Sequence, residues 1–198
     1  VVKMLLAVDG IQVNQATNEG GWTPLNFACE KGHSKVVKML LAVDGIQVNQ
    51  ATNKGSTPLN IVCQNGHVEI VKMLLAVDGI EVNQANVVGT TPLFIACQNG
   101  HVKVVNALLA RKCIQINQAN NNGWTPLFIA CQNGHVKVVN ALLTREEIDV
   151  NAECLGFTPL LIGCYNGHLD IVQELLQSKK IQIIEHRIWG DDHFFKNL

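Results

Sequence analysis

The stretch TPLFIACQNGHVKVVNALL occupies Thr91–Leu109 and returns unchanged at Thr125–Leu143, 34 residues further on. Around it the whole chain falls into one register. Thr-Pro recurs at 23–24, 57–58, 91–92, 125–126 and 158–159, and Gly-His at 32–33, 66–67, 100–101, 134–135 and 167–168. Upstream, VVKMLLAVDGIQVNQATN stands at both Val1–Asn18 and Val36–Asn53. A fixed period in the range of about 20–50 residues marks a solenoid of stacked units rather than a single closed core.

Each unit reads locally. Threonine can cap the free N–H groups of a helix start, and proline fits the first helical position. A short helix such as PLFIACQN follows and stops at glycine. A second helix, VKVVNALL, places Val102, Val104, Val105, Leu108 and Leu109 on one apolar face. The connector AVDGIQVNQATNKGS carries Asp-Gly, Asn and Gly turn signals. Its alternating Ile46 and Val48 predict a short extended segment leading to a hairpin tip at Gly55. Neither helix is long enough to stand alone in water. Side-by-side stacking of pairs buries the apolar faces, which is why the same residues can be reused verbatim.

Bulk properties narrow the function. The chain has 198 residues, 47% apolar and 16% charged, with a net charge of −1. This is a core-forming composition. The near-neutral balance gives no electrostatic case for nucleic acid or an anionic membrane surface. No apolar run approaches the roughly 18–20 residues of a membrane span. Of seven cysteines, Cys29, Cys63, Cys97, Cys131 and Cys164 share one repeat position, and Cys113 and Cys154 lie outside it. A periodic, odd set predicts reduced thiols in a reducing, cytoplasmic compartment.

TPLxxAxxxGH, a Val/Ile-rich helix ending in Leu-Leu, xVN and a glycine turn together resemble the ankyrin repeat. The resemblance covers five units and nearly the whole chain, about residues 1–180. It implies an all-α solenoid, a stack of helix-turn-helix units joined by β-hairpin loops. It also implies a non-catalytic scaffold that binds another protein through its concave face and hairpin tips. The expected organisation is a single domain over residues 1–198: a partial repeat at 1–16, five repeats at 17–180, and a degenerate sixth unit or closing cap at 181–198. Val1–Ala7 reads as the second helix of a unit whose first helix precedes it. The alternative functional reading is the repeat region of a larger enzyme or effector whose catalytic domain lies outside this chain. The histidine that the family carries after Thr-Pro-Leu is replaced by Asn26, Asn60, Phe94, Phe128 and Leu161.

Chemistry-bearing patterns give way to structural ones. Cys-x-x-x-His occurs five times, but a zinc site needs three or four ligands close together. Helices in neighbouring units pack about 8–10 Å apart, too far for their cysteines to share an ion. The expected roles are a buried thiol and an imidazole bonded to backbone, with no metal and no cofactor. Ser34, Ser56 and Ser178 lack a nucleophile-elbow context. The turn acids Asp9, Asp44 and Asp78 repeat, whereas a catalytic group is needed once. Asn14, Asn49, Asn83, Asn117 and Asn151 are expected to bond turn backbone.

What differs between near-identical units is left to carry recognition. The expected partner site comprises Trp22 and Lys54 together with an apolar strip on repeats three to five: Val87, Val88, Phe94, Trp124, Phe128, Phe157, Leu161 and Tyr165. Exposed aromatics of this kind anchor protein interfaces. A monomer that binds a partner protein, and no nucleic acid, membrane or small-molecule substrate, is the expectation.

Overall fold

A computed structural model of the protein describes residues 11–178. Ten helices lie among them, in five pairs: α1 (Pro24–Glu30) and α2 (Ser34–Leu41), α3 (Pro58–Asn65) and α4 (Val68–Leu75), α5 (Pro92–Gln98) and α6 (Val102–Leu109), α7 (Pro126–Gln132) and α8 (Val136–Leu143), α9 (Pro159–Tyr165) and α10 (Leu169–Gln177). The odd-numbered helices pack on one another in chain order, as do the even-numbered ones, and each pair packs internally. The result is a two-layer stack, the all-α solenoid expected from the period. The partial repeat read at Val1–Ala7 and the cap read at 181–198 lie outside the described residues.

Local chemistry sets the helix boundaries. In every first helix the threonine Oγ accepts the N–H three residues on: Asn26, Asn60, Phe94, Phe128 and Leu161, at 3.1–3.2 Å. Proline occupies the first turn each time. Short helices of seven to nine residues survive because their apolar faces are shared with neighbours. Leu59, Leu93, Leu108, Leu127 and Leu142 are fully buried along a core that runs the length of the stack.

Two side chains stitch unit to unit. Nε2 of His67, His101, His135 and His168 lies 3.0–3.2 Å from a main-chain oxygen of the preceding unit, at Glu30, Gln64, Gln98 and Gln132 respectively. A carbonyl only accepts, so Nε2 carries the proton in each bond. The asparagines of the connector work in the same direction. Asn83 Nδ2 donates to the Cys113 carbonyl at 2.8 Å, and the Gln115 N–H donates to Asn83 Oδ1 at 2.9 Å. Asn14, Asn49 and Asn117 repeat this pair of bonds. The expected bonds to turn backbone are therefore made to the turn of the next unit.

The loops depart from a strand reading. The connector around Ile46 and Val48 is two successive turns, Val43–Ile46 and Gln47–Gln50, not an extended segment. Both apolar residues still face inward, and that burial produces their alternation. The hairpin tips are closed by single pairs of backbone bonds, for example Thr52 N–H to the Ser56 carbonyl at 3.0 Å. Among the described residues the only β pairing is the isolated bridge between Cys154 and Phe157. Backbone bonds also link adjacent tips, including Val87 N–H to the Lys54 carbonyl at 3.1 Å and Asn121 N–H to the Val88 carbonyl at 3.2 Å, and Asn121 Nδ2 adds a donation to the Val87 carbonyl at 3.1 Å.

Candidate binding groove

Between the tips and the first helices of the central units lies a groove of about 900 Å³. Its walls are the tips Asn86–Thr90 and Asn120–Trp124, and its base is formed by Phe94, Ile95, Gln98 and Asn99 of the third unit, with Gln64 and Asn133 at the ends. None of the thirteen lining residues carries a charge, and eight are Asn or Gln.

Of the residues singled out in the sequence, Val88, Phe94 and Trp124 line this groove together. Val87 adjoins it on the same tip and is strongly exposed. Trp124 is half-buried, and its ring stacks on Phe128 with centroids 6.0 Å apart and planes 21° from parallel. The expectation that Phe94 and Phe128 present their rings to a partner is corrected: they are 1% and 3% exposed. They fill space between units, where Asn26 and Asn60 instead donate to the Gln50 and Gln84 carbonyls of the next unit. Phe94 is thus groove floor, and Phe128 backs Trp124.

The remaining candidates lie outside the groove's lining. Phe157 is buried, against expectation, and meets the exposed Tyr165 edge-on at 6.3 Å. Leu161 is half-buried in the same unit. Trp22 sits in the first unit, its ring 5.2 Å from that of Phe27. Lys54 is exposed on the second tip. Phe27 is 45% exposed, whereas its counterparts Ile61, Ile95 and Ile129 are buried core residues, so the repeat pattern alone places it with the core.

The amides were also missed as site residues, although the sequence carried a signal. Thr17 and Thr52 begin the first two tips, whereas Asn86 and Asn120 begin the next two. Each threonine Oγ accepts a backbone N–H of its own tip. Asn86 Oδ1 accepts the N–H groups of Val88 and Thr90 at 3.1 and 3.0 Å, and Asn120 Oδ1 those of Asn122 and Trp124, both at 3.0 Å. The change to asparagine keeps the turn and adds an Nδ2 donor, with no partner among the described residues, beside the groove. Gln64 and Gln98, one repeat apart, contribute exposed side-chain amides that make no bond among the described residues either.

The thiol–imidazole pairs have other duties. Burial pushes the Cys29 thiol up to about 12 and raises those of Cys63, Cys97 and Cys131, Cys97 also through its neighbours Cys63 and Cys131. The thiolate that would bind a metal or attack a substrate is therefore strongly disfavoured. Four of the five histidines hold main-chain oxygens, as described above. Among the described residues no three His, Cys, Asp or Glu side chains converge, and no helix is long and apolar enough to cross a membrane.

A family model described as ankyrin repeats (three copies) matches the chain over residues 1–52, 45–120, 79–154 and 112–185. Among curated proteins no relative matches it.

Proposed function

The chain belongs to the ankyrin-repeat family, whose members are protein–protein interaction modules, and from that premise we propose that it is a non-catalytic scaffold that docks a partner protein in the central groove. The observation that carries this reading is the distribution of differences between units. The helices of units three and four are identical in sequence, yet their tips read Val87-Val88 and Asn121-Asn122, and Thr90 in one faces Trp124 in the other. Between these two units the helices are constant, and the tips that line the groove vary, as do the connectors after the second helices. A preformed surface held by cross-unit hydrogen bonds loses little conformational entropy on binding, so modest contact area suffices.

Trp124 is the anchor of this site, a large flat side chain backed by Phe128. Tyr165, one unit on, extends the contact surface. The protein acts as a monomer in a reducing, cytoplasmic compartment; seven free thiols, five of them buried, support that setting.

Affinity capture from a lysate, read by mass spectrometry, tests the assignment. A partner recovered by the native chain should be depleted about tenfold by Trp124→Ala, the scale of one interface anchor, and less by Tyr165→Ala. Circular dichroism establishes that both variants fold. Equal recovery by a folded Trp124→Ala chain removes the groove from consideration.

A further inference from the structure

We propose that the groove takes an uncharged, proline-rich segment in the polyproline II conformation, lying along the stack with one turn of ligand per repeat. The proposal rests on the protein-binding reading above and specifies the partner's chemistry.

Charge comes first. With no ionisable side chain in the lining, a charged ligand group would lose hydration without gaining an opposite charge. The occupant is neutral. The donors come next. Asn86 and Asn120 are each fixed by two bonds through Oδ1, which leaves Nδ2 as a positioned donor. Gln64 and Gln98 add adaptable amides from the helix side. Each pair is separated by 34 residues, so two successive repeats each offer one fixed and one adaptable donor.

Such a row suits a ligand whose carbonyls are free. An α-helix uses its own carbonyls internally, whereas polyproline II has no internal hydrogen bonds. Spacing separates it from a β-strand. Packed helices, and hence repeats, lie about 8–10 Å apart. Polyproline II turns once in three residues of about 3.1 Å rise, roughly 9.3 Å, so equivalent carbonyls return in step with the repeats. A strand returns to the same face every two residues, about 6.7 Å, and falls out of step within one repeat. Finally, Trp124, backed by Phe128, and Val88 both line the groove and give it aromatic and aliphatic surface of the kind against which pyrrolidine rings pack.

Isothermal titration of the full chain with an end-capped dodecaproline tests the proposal, with an end-capped Gly-Ser peptide of equal length as the flexible neutral control. Dodecaproline should bind one to one and at least about tenfold more tightly than the control, a difference that preorganisation of the ligand supplies. Its affinity should change less than about twofold between roughly 50 and 500 mM salt, as expected when no ion pair forms. Trp124→Ala should weaken it about tenfold or more. The Gln64→Ala/Gln98→Ala double variant, which removes only exposed side chains without internal bonds, should weaken it about fivefold, the loss of one to two neutral hydrogen bonds. Absence of dodecaproline binding, equal affinity for the Gly-Ser peptide, or full affinity in both variants overturns the proposal. A captured protein that needs Trp124 but is not displaced by dodecaproline overturns it too, while leaving the protein-binding reading intact.

Discussion

Leu155 is the one non-glycine residue among those described with a positive φ, 53°. It is followed by Gly156 at φ 82°, and the flanking Cys154 and Phe157 exchange both backbone bonds at 2.9 Å. This is a two-residue turn of the kind that favours Asn-Gly, and it accounts for the 33-residue spacing of the last unit. A leucine there costs about 1–2 kcal/mol of backbone strain, and its side chain is 62% exposed, so packing returns little. Leu155→Asn should therefore stabilise the protein by about 1 kcal/mol. Urea denaturation reads this as a higher midpoint at constant slope; a lower midpoint would mean that Leu155 is packed against something its exposure does not reveal. The core thiols give a second residue-scale expectation. The Cys29 thiol is raised from 9.0 to about 12 in the folded chain. A raised value means that the native state holds its proton while the unfolded state releases it. The associated stability is complete below pH 9 and drains away as pH climbs from 9 toward 12, by up to about 1.4 kcal/mol per pH unit. Urea midpoints measured across pH 8–11 should fall along this window, and less steeply in Cys29→Ala. An unchanged slope in that variant would assign the alkaline loss to other groups.

At the scale of elements, the Gly-His motif is a bracket between units. Gly66 caps α3 with φ 71°, and a Cβ placed there would lie 2.8 Å from the ring of His101, which is itself held on the Gln64 carbonyl. Gly79 has nearly the same conformation, φ 75°, but an added Cβ would meet nothing within 4 Å. The two glycines therefore separate conformational strain from steric conflict. Gly79→Ala should cost about 1 kcal/mol, the left-handed penalty alone. Gly66→Ala should cost about 2–3 kcal/mol, because the imidazole must leave its acceptor or the units must part. Thermal melts of the two variants check this, and equal losses would mean that the bracket carries no energy. Much of this level was legible in the sequence. Thr-Pro, the stop at glycine and the 3.6-residue apolar pattern are local signals, and local signals placed all five helix pairs. What bonds across units was harder to read, since a period says that each unit has the same neighbours without saying which side chain meets which. The exposure of Phe94 and Phe128 failed for that reason. A residue one turn into the first helix can face the groove or the adjacent unit, and only the packing of a neighbouring helix decides. The asparagines that begin tips three and four were visible as departures from threonine, but their spare donors become meaningful only once Oδ1 is seen locked into the turn.

For the whole molecule, a one-dimensional stack makes the consequence of a core lesion depend on where it falls. Among the described residues the main helix–helix packing runs within a unit and to the units before and after it, so stability is approximately a sum of unit terms and nearest-neighbour interfaces. Leu108 on α6 and Leu175 on α10 are both fully buried. Truncation of either to alanine removes the same atoms and costs about 2–5 kcal/mol locally. Leu108 stands in the third of the five described pairs, with units on both sides. Its loss weakens the interfaces that join the two halves, so Leu108→Ala should lower the urea midpoint, broaden the transition and reduce the apparent slope as the halves unfold separately. Leu175 lies in the last described pair. Leu175→Ala should melt that pair early, as a small loss of helical signal before the main transition, and leave the main midpoint close to that of the native chain. The groove is built from units two to four, so its function should follow the same division. At a urea concentration where the last pair of Leu175→Ala has melted, partner or peptide binding should persist, whereas Leu108→Ala should lose binding in step with its first transition. Indistinguishable unfolding curves for the two variants would show that the stack melts as one body, and that the interfaces are stronger than any single unit.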